Sequence, residues 1–462
     1  MNYKVKIAIC TLFITVLCVM QISVTRAETE EDQYIVEFID DVSLFSIQQN
    51  KRFNILTKTE LDECIQAGIV SCYEEDYIVE LFETSTQEHS SGDILKWDLE
   101  LIDASEATRI SCIGQNINVG VIDSGIIPHP DLIDSIRPGY NFLAQTTDVT
   151  DNKGHGTFVS GLIAANPNNM NINGIAHKTN IIPLKCFDNN YTTRVSTICS
   201  AIYDAVDIYE CDIINMSFGL TSYSENLENA INYAVDNGVV IVAAVGNKGT
   251  ETLYYPAAFE NVIGVGSVNS DSQKSSYSQY NNSVFVVAPG ENVWSTNKEG
   301  SYSHNSGTSF SAPLVTGMIA IMMNVEYNLN YDKIKDYLMR SSVDLGETNY
   351  DTLYGYGLIN LKNCTALMLA EREFFISPIE ICENESYVTI LNNSPEQFKG
   401  YCMWGEYTKK YMVDMDWNYI ELAPQSNMMV KTNMREHKLK CFLWKNIDDI
   451  TVISNVRESE EN

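Results

Sequence analysis

The sequence is poor in positive charge and in histidine. Its 462 residues include 30 Lys and Arg against 61 Asp and Glu, which gives a net charge of -31, and only six histidines. Nucleic acids and anionic membranes repel so negative a chain, so neither is expected as its main partner. The shortage of histidine also means that few residues compete for any histidine-based chemistry.

Two further absences narrow the class of protein. The twelve cysteines include no CxxC pair, which disfavours a zinc knuckle. No apolar run of membrane-spanning length follows the N-terminal region. An apolar content of 45% and a charged content of 20% are typical of a globular chain, and the length allows roughly two to four domains.

The first 27 residues have the pattern of an export signal. Lys4 and Lys6 form a short basic start, residues 7–24 are almost entirely apolar, and residues 25–27 approximate a small-x-small cleavage site. A retained membrane anchor is the alternative, but the apolar run is short for a spanning helix. We therefore expect a secreted, extracellular protein with no stable membrane anchor once residues 1–27 are removed.

Changes in pattern divide the remaining chain into three units. Residues 28–91 combine two alternating strands with a helical segment that Thr59 opens and Gly68 closes. Residues 92–370 alternate strands and helices, which indicates an α/β fold with a parallel sheet between helices. Residues 371–462 contain short strand-like runs that predict a small β-sandwich. The predicted strands cover 34–38, 77–81, 117–122, 213–216, 239–244, 387–391, 419–422, 428–432 and 439–444, and the predicted helices cover 59–67, 195–209, 224–237, 309–327 and 332–340.

Three short motifs of the middle unit carry an aspartate, a histidine and a serine in that order. The apolar strand VGVIDSG ends at Asp123 and a glycine turn, GHGT places His155 before an apolar helical stretch, and GTSFSAP places Ser309 where a helix begins. A serine hydroxyl is a poor nucleophile at neutral pH and needs an adjacent base, which histidine can supply. An aspartate can hold the imidazole in the required tautomer and stabilise the imidazolium.

These motifs, in this order, resemble those of subtilisin-like serine proteases, the subtilase family, over about residues 97–369. The resemblance implies a secreted serine endopeptidase that works through an acyl-enzyme with Asp123, His155 and Ser309 as its triad. In the segment VAAVGN it implies Asn247 as a side-chain oxyanion donor, and no cofactor is expected for catalysis. A catalytically silent, surface-binding protein on the same fold is the alternative from a different class.

The same resemblance implies two strands that bind an extended peptide or protein substrate by main-chain hydrogen bonds. The implied substrate-binding residues are Ser217, Phe218, Gly219, Tyr191, Thr192, Thr193, Ala244, Gly246 and Tyr254. Tyr254 stands where the family has a glycine at the floor of the pocket for the residue before the cut. A tyrosine there would fill much of the pocket, so we expect a small or acidic residue before the cut unless Tyr254 points outward. The bond between Tyr255 and Pro256 is expected to be cis.

Residues 28–91 resemble the inhibitor-type propeptide of this family, and a separate binding domain is the alternative. Their last predicted strand would lead into the cleft, so the chain's own propeptide is an expected partner. The polar stretch that follows is expected to be an exposed linker, and the self-cleavage is expected within residues 83–92, with Glu83 or Glu88 as natural sites.

The resemblance also implies a structural calcium ion, because the loop at 166–172 has the length of the family's calcium loop. The implied ligands are the side chains of Asp131 and Asn168 and the carbonyl groups of Asn166, Met170 and Ile172. Oxygen ligands of this kind suit calcium. A polar, asparagine-rich loop without an ion is the alternative.

Overall fold

The computed structural model describes most of the chain between residues 32 and 458. The described residues are 32–38, 53–82, 97–167, 172–326, 329–372, 374–377, 379–381, 386–392, 394–407, 412–424, 426–434, 438–444 and 457–458. The predicted export signal and the predicted self-cleavage segment at 83–92 lie outside the described residues. Asn168 and Met170 of the predicted calcium loop lie outside them as well.

The first unit is an antiparallel sheet with one helix and a separate final strand. Its strands β1 (Gln33–Phe38), β2 (Asn54–Thr57) and β3 (Val70–Glu75) pair in the order β2-β1-β3, and α1 covers Lys58–Ala67. Strand β4 (Ile78–Leu81) leaves this sheet and pairs elsewhere. The two predicted strands and the helix are present, while β2 and β3 were not predicted.

The helix α1 begins at Lys58, one residue earlier than predicted, and its capping threonine is two residues earlier than predicted. The hydroxyl of Thr57, not of Thr59, accepts the backbone N–H of Glu60 at 3.4 Å, and the Glu60 carboxylate accepts the backbone N–H of Thr57 at 2.8 Å. This reciprocal pair is a capping box, which satisfies two N–H groups at the start of the helix. Gly68 ends the helix with a positive φ of 67°, as predicted.

A seven-stranded parallel sheet forms the middle of the second unit, in the order β13-β12-β11-β9-β5-β7-β6. Its strands are β5 (Asn118–Asp123), β6 (Tyr140–Asn141), β7 (Asn180–Lys185), β9 (Ile213–Met216), β11 (Val240–Ala244), β12 (Ile263–Val268) and β13 (Val286–Pro289). Most of these strands are buried along their whole length, which fits a sheet covered on both faces. The predicted α/β class is therefore confirmed.

Helices and short strands surround this sheet. The helices are α2 (Trp97–Leu101), α3 (Glu106–Arg109), α4 (His155–Ala164), α5 (Val195–Asp207), α6 (Glu225–Asp236), α7 (Thr308–Val325), α8 (Tyr331–Ser341) and α9 (Leu361–Ala370). The short strands are β8 (Thr192–Arg194), β10 (Phe218–Gly219), β14 (Val293–Thr296) and β15 (Tyr302–Asn305). Within the described residues, α7 alone is long and apolar enough to cross a membrane, but 94% of it is buried in the protein, as expected of a core helix.

The parallel sheet and its helices decide where the predicted catalytic residues lie. Asp123 is the last residue of β5, while His155 is the first residue of α4 and Ser309 the second residue of α7. The carboxyl ends of parallel strands and the first turns of the following helices meet at one edge of such a sheet. The fold therefore brings the three motifs to the same edge.

The C-terminal unit has two antiparallel sheets that share one hydrophobic core. One contains β16 (Phe374–Ile376), β17 (Glu380–Ile381), β18 (Ser386–Asn392) and β21 (Ser426–Thr432), and the other contains β19 (Phe398–Tyr407), β20 (Met412–Leu422), β22 (Lys438–Trp444) and β23 (Arg457–Glu458). Trp404 is fully buried between side chains of both sheets. Four of these strands were predicted, and the extra β-rich domain is confirmed.

Candidate active site

Strand β4 of the first unit lies in the predicted substrate cleft. It pairs antiparallel with β10, where Leu81 lies opposite Phe218, and with β8, where Val79 lies opposite Thr193. The backbone N–H of Leu81 also donates to the carbonyl of Tyr191 at 3.0 Å. Both walls that the sequence predicted for an extended peptide therefore bind a segment of the same chain as the central strand of a three-stranded sheet.

Asp123 and His155 form a buried pair at the carboxyl end of β5. The Nδ1 atom of His155 lies 2.8 Å from Oδ1 and 2.9 Å from Oδ2 of Asp123. The backbone N–H of Ser124 donates to Asp123 Oδ1 at 2.7 Å. Because a buried carboxylate needs such donors, the aspartate orients the imidazole with Nδ1 toward itself and Nε2 away from it. The imidazole packs on the ring of Phe310, which follows Ser309, with centroids 5.5 Å apart.

Ser309 is fully buried in the first turn of α7. Its hydroxyl lies 3.1 Å from the carbonyl oxygen of Ser217 and 3.1 Å from that of Phe82, either of which can accept its proton. The hydroxyl of Ser217 in turn donates to the carbonyl of Ser309 at 2.8 Å, which ties the start of α7 to the cleft wall. The backbone N–H of a residue so early in a helix has no acceptor within the helix and can bind an anion.

Asn247 faces the carbonyl oxygen of Phe82. Its side-chain Oδ1 accepts the backbone N–H of Thr308 at 2.9 Å and the Thr308 hydroxyl at 2.8 Å. These two bonds fix the amide so that Nδ2 points into the cleft, where it donates to the carbonyl of Phe82 over 3.5 Å. The Phe82 carbonyl oxygen therefore lies between the Ser309 hydroxyl and the Asn247 amide.

The pocket beside this carbonyl holds the ring of the chain's own Phe82, whereas a small or acidic residue before the cut was predicted for substrates. The ring packs edge-on against Tyr254, with centroids 5.2 Å apart and an angle of 86°. A Cβ atom on Gly219 would lie 2.5 Å from Cζ of Phe82, so glycine is required for the ring to enter. Tyr254 therefore forms a side wall of an aromatic pocket and does not fill it.

The turn after β11 explains the position of Tyr254. Ala244 is the buried last residue of that strand, and Gly246 has a φ of 112°, which favours glycine. A Cβ atom on Gly246 would lie 2.9 Å from Gln279 and 3.0 Å from Tyr254. The tyrosine ring therefore packs directly on the glycine backbone. The bond between Tyr255 and Pro256 is cis, as predicted.

Two acidic residues of the first unit form hydrogen bonds with the second unit outside the cleft. These contacts were not predicted from the sequence. Asp76 accepts the Ser196 backbone N–H at 2.8 Å and the Ser196 hydroxyl at 2.6 Å, in the first turn of α5. Burial raises the pKa of Asp76 above its usual value. Glu74 accepts the Ser224 hydroxyl at 2.5 Å and the Glu225 backbone N–H at 2.9 Å, at the start of α6. Helix N-termini favour carboxylates, but only the folded chain shows which acid reaches which helix.

The predicted calcium ligands are only partly described. Asp131 is buried, its carboxylate accepts the Tyr302 hydroxyl at 2.7 Å, and its carbonyl accepts the backbone N–H of Asn166 at 2.9 Å. Ile172 is also buried. No cluster of three or more His, Cys, Asp or Glu that could hold a metal occurs in the described part of the chain. The described residues therefore place Asp131 beside the loop but do not assemble a set of ligands.

Two other histidines are set apart from this chemistry by their surroundings. His129 has its ring Nε2 3.0 Å from the carbonyl of Ser301 and packs against Tyr302, and burial lowers its pKa. Burial also lowers the pKa of His177 to about 4, so this side chain is neutral at neutral pH. His155 is the histidine that contacts an aspartate next to the cleft.

The fold and site define a class: a serine hydrolase on an α/β fold, with a buried Asp–His pair and a serine at a helix start. Comparison with known proteins agrees with this. The model of the subtilase family matches residues 114–357, more than half of the chain, and the chain therefore belongs to that family. It is a subtilisin-type serine endopeptidase.

Three relatives show the extent of the similarity. The chain is 37% identical to "Minor extracellular protease Epr" of Bacillus subtilis (strain 168) over 274 residues, which is 59% of this chain and 42% of that protein. It is 30% identical to "M-protease" of Shouchella clausii (strain KSM-K16) over 345 residues, 72% of this chain and 89% of that one. It is 34% identical to "Subtilisin Savinase" of Lederbergia lenta over 269 residues, 58% of this chain and 98% of that one.

The aromatic pocket predicts the effect of Gly219→Ala. The added methyl group would occupy the space of the substrate ring, so kcat/KM for a peptide with Phe before the cut should fall by about 10- to 100-fold. The new methyl group would also lie 2.9 Å from the backbone carbonyl oxygen of Tyr255, which affects every peptide alike. A peptide identical except for Ala at that position is the internal control, because it needs no ring space and its kcat/KM should fall less. Hydrolysis of the two peptides by the mature protein measures this, and an equal loss for both would contradict the assignment of the pocket.

Proposed function

We propose that this chain is a secreted endopeptidase that first cuts itself between Phe82 and Glu83 and then cleaves other extended peptides. The observation that carries the proposal is the position of the Phe82 carbonyl oxygen, 3.1 Å from the Ser309 hydroxyl and 3.5 Å from the Asn247 amide. A carbonyl between a nucleophile and an oxyanion donor is placed for attack. The cut then falls one bond before the stretch 83–92 that the sequence predicts.

The proposed chemistry uses the residues around this carbonyl. His155 accepts the hydroxyl proton of Ser309 while Oγ bonds to the carbonyl carbon of Phe82, and Asp123 stabilises the resulting imidazolium. The Asn247 amide and the Ser309 backbone N–H stabilise the oxyanion. The bond to the nitrogen of Glu83 then breaks, and His155 returns the proton to the amine that leaves. Water, activated by the same histidine, hydrolyses the acyl-enzyme and releases the Phe82 carboxylate.

The same geometry supports an inhibitory role for the segment that precedes the cut. After cleavage β4 would keep its hydrogen bonds to β8 and β10, and Glu74 and Asp76 would keep theirs to the two helix starts. Such a product leaves slowly because several contacts must break together. Residues 28–82 would thus act as a propeptide that blocks the cleft until it dissociates or is degraded.

The burial pattern of β4 supports a substrate class. Val79 and Leu81 are buried with Phe82, while Ile78 and Glu80 are exposed. A strand presents alternate side chains to opposite sides, so main-chain pairing fixes the peptide and the buried side chains select it. We therefore propose substrates with an aromatic residue before the cut and aliphatic residues at the second and fourth positions before it. Both a range of proteins and one dedicated partner fit this pattern.

Secretion is proposed on two grounds. Residues 1–27 have the composition of an export signal. The relative in Bacillus subtilis is named an extracellular protease. A structural calcium ion held near Asp131 also stays a proposal, supported by the oxygen-rich residue types of the loop at 166–172.

The self-cleavage proposal predicts the fate of the variant Ser309→Ala. Without the nucleophile the secreted chain should keep its propeptide, whereas the parent chain should acquire Glu83 as a new N-terminus. Ser311→Ala is the matched control, because Ser311 is buried in the same helix and its hydroxyl donates to the carbonyl of Ala288 at 3.1 Å. Intact mass and N-terminal sequencing measure the cut, and labelling by a fluorophosphonate should require Ser309. Processing of Ser309→Ala at the same bond, or a label on it, would refute the proposal.

The inhibitor proposal predicts that Glu74→Gln releases the propeptide faster. The variant weakens charge-assisted hydrogen bonds at the start of α6, and a loss of about 1.5 kcal/mol would speed dissociation about tenfold. Glu75→Gln is the control, because its side chain is exposed on the same strand. The lag between self-cleavage and full activity toward a peptide measures release. Equal lags for the two variants would argue against a role for Glu74 in retention.

The calcium proposal predicts that a chelator lowers the unfolding temperature of the mature protein. An ion that binds only the folded state stabilises that state by mass action. Asp131→Asn should abolish most of the chelator effect, and added calcium but not magnesium should restore the parent protein. An unfolding temperature that is the same with and without chelator would exclude a structural calcium.

A further inference from the structure

Asp151 is a buried acid that has no place in the proposed chemistry. It lies four residues before His155 and is 2% exposed. Its Oδ1 accepts the backbone N–H of Lys153 at 3.0 Å and that of Gly154 at 2.7 Å. Its Oδ2 accepts the Thr157 backbone N–H at 2.9 Å and the Thr157 hydroxyl at 2.8 Å. One carboxylate thus holds the chain on both sides of His155.

Asp151 also reaches the strand that carries Asp123. The hydroxyl of Ser124, the residue after Asp123, donates to Asp151 Oδ1 at 2.8 Å. The same hydroxyl accepts the backbone N–H of Gly156, the residue after His155, at 3.0 Å. Asp151 and Ser124 together therefore link the end of β5 to the start of α4.

The start of α4 depends on this link because it has no other side-chain cap. Its N-cap residue is Gly154, which has no side chain to accept the N–H groups of the first turn. Asp151 accepts the N–H of Thr157 in that turn instead. A carboxylate is favoured at this position by the helix dipole as well as by the hydrogen bonds.

The backbone of α4 and the turn after β5 are in close contact. A Cβ atom on Gly156 would lie 2.2 Å from the carbonyl oxygen of Gly125 and 3.2 Å from the side chain of Asp123. The backbone of α4 thus touches the strand turn directly. Any change that lets the first turn of α4 move would displace His155 relative to Asp123, since both residues belong to the elements in contact.

We propose that Asp151 is a positioning residue, which holds the imidazole of His155 in register with Asp123 and Ser309. This inference rests on the proposed function, since it concerns the same reaction. Its carboxylate accepts five hydrogen bonds, all of them from the loop and helix of His155 or from Ser124. A group with that set of partners determines where the base lies, although it touches neither the nucleophile nor the substrate strand.

The test compares Asp151→Asn with Asp212→Asn in the full chain. Asparagine keeps the shape of the side chain but puts an NH₂ group in place of an oxygen that accepts two or three of the five hydrogen bonds, so the loop must shift. We expect kcat of the mature protein to fall by ~10- to 100-fold, the cost of misplacing a catalytic group by about 1 Å, with KM nearly unchanged. Self-cleavage, a first turnover on a substrate already bound, should slow by a similar factor.

Asp212→Asn is matched because Asp212 accepts the backbone N–H of Asn118 at 2.8 Å, at the opposite end of β5. It should lower thermal stability without a change in kcat below the unfolding temperature. The positioning role is overturned if Asp151→Asn lowers thermal stability but has the same kcat and the same self-cleavage rate as Asp212→Asn. A rise in KM with kcat unchanged would overturn it too.

Ser124→Ala decides the question if Asp151→Asn fails to fold. It removes the link to β5 while the carboxylate keeps its bonds to the loop and helix, so kcat should fall by a smaller factor, ~3- to 10-fold. An unchanged kcat in this variant would then overturn the proposal. Failure of the proposed function can be distinguished from failure of this inference. If the proposed function is wrong, Ser309→Ala will still be processed or labelled by the fluorophosphonate, whatever the result for Asp151→Asn.

Discussion

The register of one short strand determines most of what this structure says about function. Strand β4 is bound along both edges, with Leu81 opposite Phe218 and Val79 opposite Thr193. A slip of one residue would expose the two buried side chains and turn Glu80 into the protein, which makes the register strongly specified. With the register fixed, the carbonyl that follows Leu81 has one position, and it is the position between Ser309 and Asn247.

Local patterns in the sequence predicted the three motifs of the site and the class of the sheet that carries them. Asp123, His155 and Ser309 each stand in a short motif at the end of a strand or the start of a helix, and strand–helix alternation implied the parallel sheet that brings such ends together. Long-range packing could not be predicted in this way. The position of Tyr254 depends on the left-handed turn at Gly246 and on Gln279, so the sequence did not show that an aromatic ring can lie beside it.

Two smaller differences have local causes. Strand β19 was missed because its sequence carries two glycines and aromatic residues on both faces, which hides the alternation. The helix α1 begins at Lys58 because Thr57 has a glutamate, Glu60, three positions later to complete the capping box, whereas Thr59 has the shorter Asp62 at that spacing.

Two of the many acidic residues of this chain, Glu74 and Asp76 of the first unit, bind the starts of helices in the second unit. Helix α6 has its own cap, since the Ser224 hydroxyl accepts the backbone N–H of Leu227 at 3.1 Å. Helix α5 begins after Arg194, which makes no side-chain cap bond, and the acceptor for its Ser196 N–H is Asp76 of the first unit. An uncapped helix start costs about 1 kcal/mol. The first unit therefore stabilises α5 more than α6, and α5 follows directly from the cleft strand β8.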